Sequence, residues 1–128
     1  MVRSVLDASA ILALIQGEPG AGVVDDALTG AMVSAVNVAE VATRLSDVGM
    51  PDEEVHATVR DLRMEIVSFD AAMAFGSAAL RCATRSKGLS LGDRACLALA
   101  LAHDTPALTA DRSWGELDVG VDVRLIRT

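Results

Sequence analysis

Apolar positions along this chain follow two different periods. Val2–Leu6, Ala31–Ala35, Met64–Phe69, Ala107–Ala110 and Val121–Ile126 are short, mostly apolar and bounded by turn residues. Strands covered on both faces read this way. The segments between them are longer and place apolar residues three and four apart. Ser9–Ile15 predicts a helix stopped by Gly17, Pro19 and Gly20, and residues 21–29 predict a second, shorter one. Val36–Val48 forms a helix ending at Gly49, with Val38, Val41, Ala42 and Leu45 as its apolar stripe. Pro51 opens the next helix at a first-turn position, followed by Asp52, Glu53 and Glu54 at its positive end. Asp70 caps a long helix reaching Ser86 and closed by Gly88. Ser90-Leu91-Gly92-Asp93 has the form of a capping box, opening an Ala/Leu-rich helix to His103, with a turn at Pro106. Strands alternating with helices imply an α/β fold whose parallel sheet is covered on both faces. No linker, repeat or low-complexity segment divides the 128 residues, so residues 1–128 are expected to form a single domain.

Four acids interrupt or abut this apolar pattern: Asp7, Glu40, Asp93 and Asp111. Each has a local explanation. Asp7 could cap the helix that follows, Asp93 is the third residue of the capping box, and Asp111 could be a turn residue. Glu40 has the weakest one, since its neighbours Val36, Val38, Ala39, Val41 and Ala42 leave no solvated face close by. Asp7 and Asp111 fall at predicted strand carboxyl ends, where ligands of open α/β sheets bind. Carboxylates gathered there need a counter-charge, and a hard divalent cation with oxygen ligands supplies one. Such ions lower the pKa of a water and orient it for in-line attack on phosphorus. Ser9 and Thr109 are candidate hydroxyl partners that steer Asp7 and Asp111.

Composition narrows the picture. A hydrophobic fraction of 52% with 23% charged residues belongs to a folded domain, and with so few aromatics the core must be aliphatic. The net charge of −7 excludes a general nucleic-acid-coating protein. The cations nevertheless gather at Arg81, Arg85, Lys87 and Arg94, beside Asp93. That strip suits an anionic substrate, although a solvated helix face would look the same. Cys82 and Cys96 have neither metal nor redox spacing and are expected to be buried, reduced thiols. No signal peptide or membrane-length apolar run is evident, so a cytoplasmic location is expected. His56 reads as solvated and His103 as a helix-end residue, and Trp114 is expected to pack a loop against the core.

Taken in order and spacing, four motifs resemble those of PIN-domain ribonucleases, more specifically the VapC toxins of type II toxin–antitoxin pairs. They are Val5-Leu6-Asp7-Ala8-Ser9, Asn37-Val38-Ala39-Glu40-Val41, Leu89 through Ala100 around Asp93, and Leu108-Thr109-Ala110-Asp111-Arg112-Ser113-Trp114. The resemblance covers essentially the whole chain. It implies an α/β/α sandwich with a central, mainly parallel sheet of four to five strands flanked by helices. It also implies a Mg²⁺- or Mn²⁺-dependent endoribonuclease, a hydrolase in which Asp7, Glu40, Asp93 and Asp111 are the catalytic, metal-binding quartet. Ser9, Thr109 and Ser113 would support them. Arg81, Arg85, Lys87, Arg94 and Arg112 are candidate RNA contacts. Implied substrates are tRNA or ribosomal RNA. Implied partners are a VapB-like antitoxin that blocks the site and a second copy of the chain, giving a homodimer and, with antitoxin, a heterotetramer or larger assembly. Many relatives carry a further acid where this chain has Ser113, so one ion is expected and a second site stays open. The alternative is a PIN-like module that binds RNA or protein without cleaving. A phosphoacceptor receiver domain is disfavoured, because the only lysine, Lys87, is far from any predicted strand end.

Overall fold

The structure, a computed structural model, describes residues 3–128. Five strands form one wholly parallel sheet: β1 (Val5–Leu6), β2 (Met32–Ser34), β3 (Glu65–Val67), β4 (Ala107–Thr109) and β5 (Val123–Leu125), in the spatial order β3-β2-β1-β4-β5. Seven α-helices flank it: α1 (Ala8–Gln16), α2 (Ala21–Ala27), α3 (Ala35–Asp47), α4 (Asp52–Asp61), α5 (Ala71–Ala79), α6 (Arg81–Thr84) and α7 (Leu91–His103). The expected first strand therefore holds for Val5 and Leu6, while Val2 lies outside the described residues.

Strand alternation divides the core in two. Leu6, Val33 and Leu108 face a cluster with Ile11, Val24, Val41, Leu45 and Val55 from α1 to α4. Their neighbours Val5, Met32 and Ala107 face the opposite cluster, with Leu97, Leu99 and Cys96 of α7, Leu80, and Trp114. Successive side chains of a strand point to opposite faces, so a parallel sheet needs apolar residues at both parities. That produces the continuous apolar runs in the sequence and yields the three-layer α/β/α sandwich.

Helix ends follow local chemistry. Gly17, at φ +66°, stops α1, and Ser34 at the end of β2 caps α3 at once by accepting from the Val36 N–H at 3.2 Å. Ser90 and Asp93 form the complete capping box at the start of α7. Gly20 combines φ +95° with a close approach, since a Cβ there would meet the Ile126 carbonyl and side chain. Pro51 sits one residue before α4 rather than in its first turn.

The long helix expected from Asp70 to Ser86 is broken. Asp70 caps α5 as expected, but the regular hydrogen-bond ladder is interrupted at Leu80, which keeps right-handed helical dihedrals; the chain resumes as the single turn of α6 and ends as a 3-10 turn over Arg85–Lys87 closed by Gly88. Two side chains on this segment bond back to the previous turn. Ser77 donates to the Met73 carbonyl and Thr84 to the Leu80 carbonyl, each at 2.8 Å. Such back-bonding competes with the helical ladder and bends helices. Cys82 is exposed on this segment, contrary to expectation, whereas Cys96 is fully buried. Among the described residues no helix is long and apolar enough to cross a membrane.

Candidate active site

The chain order places a switch point beside β1. From β1 the chain moves outward through β2 to β3, then returns across to β4 on the other side of β1. The crevice between the carboxyl ends of β1 and β4 is where open α/β sheets bind ligands. Asp7 follows β1 directly, Thr109 ends β4, and Asp111 follows two residues later.

Asp7 is 4% exposed. Its Oδ1 accepts from the Ala10 N–H at 2.8 Å and the Ser9 hydroxyl at 2.7 Å, and its Oδ2 accepts from the Thr109 hydroxyl at 2.5 Å. The cap and the site are thus one arrangement. Burial dominates its titration and pushes the carboxyl up to about 6, with the nearby Asp93 charge adding to the rise. The hydrogen bonds from Thr109, Ala10 and Ser9 pull the other way without cancelling it.

The same hydroxyls organise β4. Ser9 Oγ accepts from the Ala110 N–H at 2.9 Å, and Thr109 Oγ1 accepts from the Asp111 N–H at 3.0 Å. Asp111 is exposed and caps a 3-10 turn, Arg112–Glu116; its Oδ1 accepts from the Ser113 N–H and hydroxyl. Ser113 is therefore bonded to Asp111. Trp114 in this turn is wholly buried and packs it on the core, as expected.

Asp93 is half-buried, and its Oδ2 accepts from the Ser90 N–H at 3.0 Å. Glu40 is exposed on α3, so its helix does have a solvated face, unlike the sequence reading. Its Oε1 accepts from Asn37 Nδ2 at 2.7 Å. The buried Cys96 thiol is within electrostatic reach of three of the acids. Burial pushes it well up, and the charges of Asp7, Asp93 and Glu40 push it further. The fold thus brings Asp7, Asp93 and Glu40 within electrostatic reach of one buried thiol, with Asp111 linked to Asp7 through Thr109.

None of the four forms an ion pair among the described residues. Nor do three His, Cys, Asp or Glu side chains among those residues converge closely enough to hold a metal ion. Each carboxylate accepts hydrogen bonds from neutral donors instead. The donor set still fits a hard divalent cation: it is all oxygen, and Glu40 Oε2, Asp93 Oδ1 and Asp111 Oδ2 accept no hydrogen bond among the described residues. A buried, repelled carboxylate such as Asp7 favours a cation nearby.

Five cations were expected near this site, and they are held differently. Arg81 and Arg85 are exposed on the broken segment, Lys87 pairs with Glu116, and Arg112 donates to the Thr128 carbonyl. Arg94 is half-buried and donates to the Ser77 carbonyl at 3.1 Å, tying α7 to α5. Asn37 and Gly92 stood in the sequence motifs but were given no role of their own. An asparagine three residues before Glu40 on a helix was the available signal.

Comparisons with known proteins agree on the fold. The chain is similar in structure to VapBC2 from Rickettsia felis bound to a DNA fragment from their promoter (17% identity, 97% of this chain and 98% of that one covered, TM-score 0.74). It is also similar to VapBC-5 of Mycobacterium tuberculosis, a member of the VapBC family of toxin–antitoxin systems (23% identity, 100% of both chains, TM-score 0.61). A third match is Mycobacterium tuberculosis VapC20, a sarcin-ricin loop cleaving toxin (16% identity, 94% and 98% covered, TM-score 0.69). No curated protein matches the chain in sequence. The PIN-domain family model matches residues 4–120, spanning all four acids and every strand but β5, and the chain belongs to the PIN-domain family.

Proposed function

We propose that this chain is the toxin of a type II toxin–antitoxin pair, an endoribonuclease that requires Mg²⁺ or Mn²⁺. The observation that carries the reading is that Asp7, Asp93 and Glu40 all lie within electrostatic reach of the buried Cys96, by the sheet's switch point, with no cation paired to any of them among the described residues. PIN domains are generally nucleases, and VapC20, of the same fold, is a toxin that cleaves an RNA loop.

Asp7, Asp93 and Glu40 would hold the ion, with Asp111 at the rim. When bound, a divalent cation supplies the positive charge that lowers the pKa of a water and stabilises charge building on a phosphodiester. The protein's part is orientation. Thr109 and Ser9 fix both oxygens of Asp7, the Ser90 backbone fixes Asp93, and Asn37 fixes Glu40. Above pH about 6 Asp7 is ionised and competent to take a cation, whereas below it protons compete. The exposed Arg81 and Arg85 would meet RNA phosphates beside the site. The resemblance to VapBC complexes supports a cognate antitoxin as partner; the form that would bind it is a homodimer.

The deciding experiment incubates the purified protein with tRNA and ribosomal RNA. Cleavage should appear with Mg²⁺ or Mn²⁺, vanish with EDTA, and fall by roughly 10²-fold or more in Asp93→Asn. Full cleavage in EDTA and in Asp93→Asn would sink the reading. RNA binding with no cleavage under any condition would instead support a non-cleaving PIN module. A separate expectation concerns the strip: Arg81→Gln with Arg85→Gln should weaken RNA binding and flatten its salt dependence by about two counterions. An unchanged salt slope would remove these arginines from the interface.

A further inference from the structure

Glu40 stands on a solvated helix face with a long, flexible side chain, yet its carboxylate is held in one place. Asn37, one turn earlier on α3, is 1% exposed. Its Nδ2 donates to Glu40 Oε1 at 2.7 Å and to the Gly92 carbonyl at 3.0 Å, so one amide bridges the carboxylate and the first turn of α7. Both neighbours are acceptors, which fixes the amide with its nitrogen toward them. Asn37 Oδ1 is buried and has no partner among the described residues, so the amide's surroundings serve its donor end.

Gly92 explains how the carboxylate comes so near. Its φ is not positive, so backbone conformation does not call for glycine. Helix propensity opposes it, because glycine is among the least favourable helix residues. Space does call for it: a Cβ at Gly92 would overlap both carboxylate oxygens of Glu40. The missing side chain is a seat for the Glu40 carboxylate, next to Asp93 in sequence.

We propose that Asn37 and Gly92 are positioning residues: Asn37 clamps Glu40 Oε1 and Gly92 leaves the space that seats the carboxylate beside Asp93, with Oε2 left without a hydrogen bond among the described residues and able to serve a cation. The inference rests on the metal-dependent reading above, and deepens it by naming what holds its most mobile ligand.

The test measures Mn²⁺ affinity of the full chain by calorimetry, together with metal-free melting temperature. The proteins are wild type, Asn37→Ala, Gly92→Ala, Glu40→Gln and the pair Gly92→Ala/Glu40→Gln. Losses of roughly 10- to 100-fold in Mn²⁺ affinity are expected for Asn37→Ala and Gly92→Ala, the range for groups that orient a ligand. Gly92→Ala should melt no lower than wild type without metal, since alanine suits the helix and only a side-chain tip is displaced. The double variant should bind no more weakly than Glu40→Gln alone, because both changes remove the same contribution. Wild-type affinity in Gly92→Ala, or additive losses in the pair, would overturn the inference while leaving the nuclease reading standing. A wild-type protein that binds no divalent cation would overturn both.

Discussion

Asp7→Asn should be more stable than the wild type at pH 8 without divalent cations, and inactive. The Asp7 carboxyl has its pKa raised from 3.8 to about 6 by burial. Between those values the folded chain binds more protons than the unfolded one, so stability falls as pH rises through the window. Above about pH 6 the full penalty of an ionised, buried carboxylate is present. A shift of about two units corresponds to about 3 kcal/mol, and an amide should recover on the order of 1–3 kcal/mol of it. Asparagine retains the helix cap, since its Oδ1 can still accept from the Ala10 N–H. The expected gain in melting temperature at pH 8 is about 5–10 °C, shrinking towards nothing near pH 4. Mg²⁺ should reverse the ranking, because an ion bound only to the folded wild type stabilises it alone. Melting curves at pH 4, 6 and 8, with and without Mg²⁺, test each part. A variant less stable than wild type at pH 8 would show that the hydrogen bonds from Thr109 and Ser9 outweigh burial.

Trp114→Ala should cause the largest loss of stability. Trp114 is fully buried, and its ring carries the 3-10 turn that follows Asp111 onto the α7 side of the core. Truncations of this kind cost about 3–5 kcal/mol, a large share of the roughly 5–15 kcal/mol that holds a domain together. The indole N–H has no partner among the described residues, so packing accounts for the cost and Trp114→Phe should restore more than half of it. Urea titrations followed by circular dichroism separate the cases. Equal losses for Ala and Phe would mean the indole nitrogen holds an essential bond. Trp114 is also the sole tryptophan, so its native fluorescence reports directly on this turn.

Much of this molecule is legible from local chemistry. Apolar runs at both parities marked the strands, and Ser90, Asp93, Asp70 and Gly17 marked helix ends through their own side chains or backbone. Asp7 and Asp111 lay where strand ends were expected. What escaped depends on pairs distant in sequence. Asn37 and Gly92 are 55 residues apart and acquire meaning only when α3 meets α7. The break at Leu80 arises from Ser77 and Thr84 bonding back along a segment whose composition reads as continuous helix. Glu40 looked buried because its sequence neighbours are apolar, but of Val36, Val38, Ala39, Val41 and Ala42 only Val41 is buried. Neighbours in sequence are poor guides to neighbours in space on a helix.

The position of β1 has a consequence for how the protein is made. This first strand is central, and β4, 102 residues later in register, supplies much of its support: the Val5 N–H donates to the Pro106 carbonyl and the Asp7 N–H to the Leu108 carbonyl. The hydroxyl that fixes Asp7 Oδ2 arrives with Thr109. A growing chain therefore carries its first acid from the outset but cannot seat it until β4 has emerged from the ribosome. For a protein whose proposed substrates include the translation machinery, synthesis from the amino end keeps the proposed site unfinished until β4 has been made.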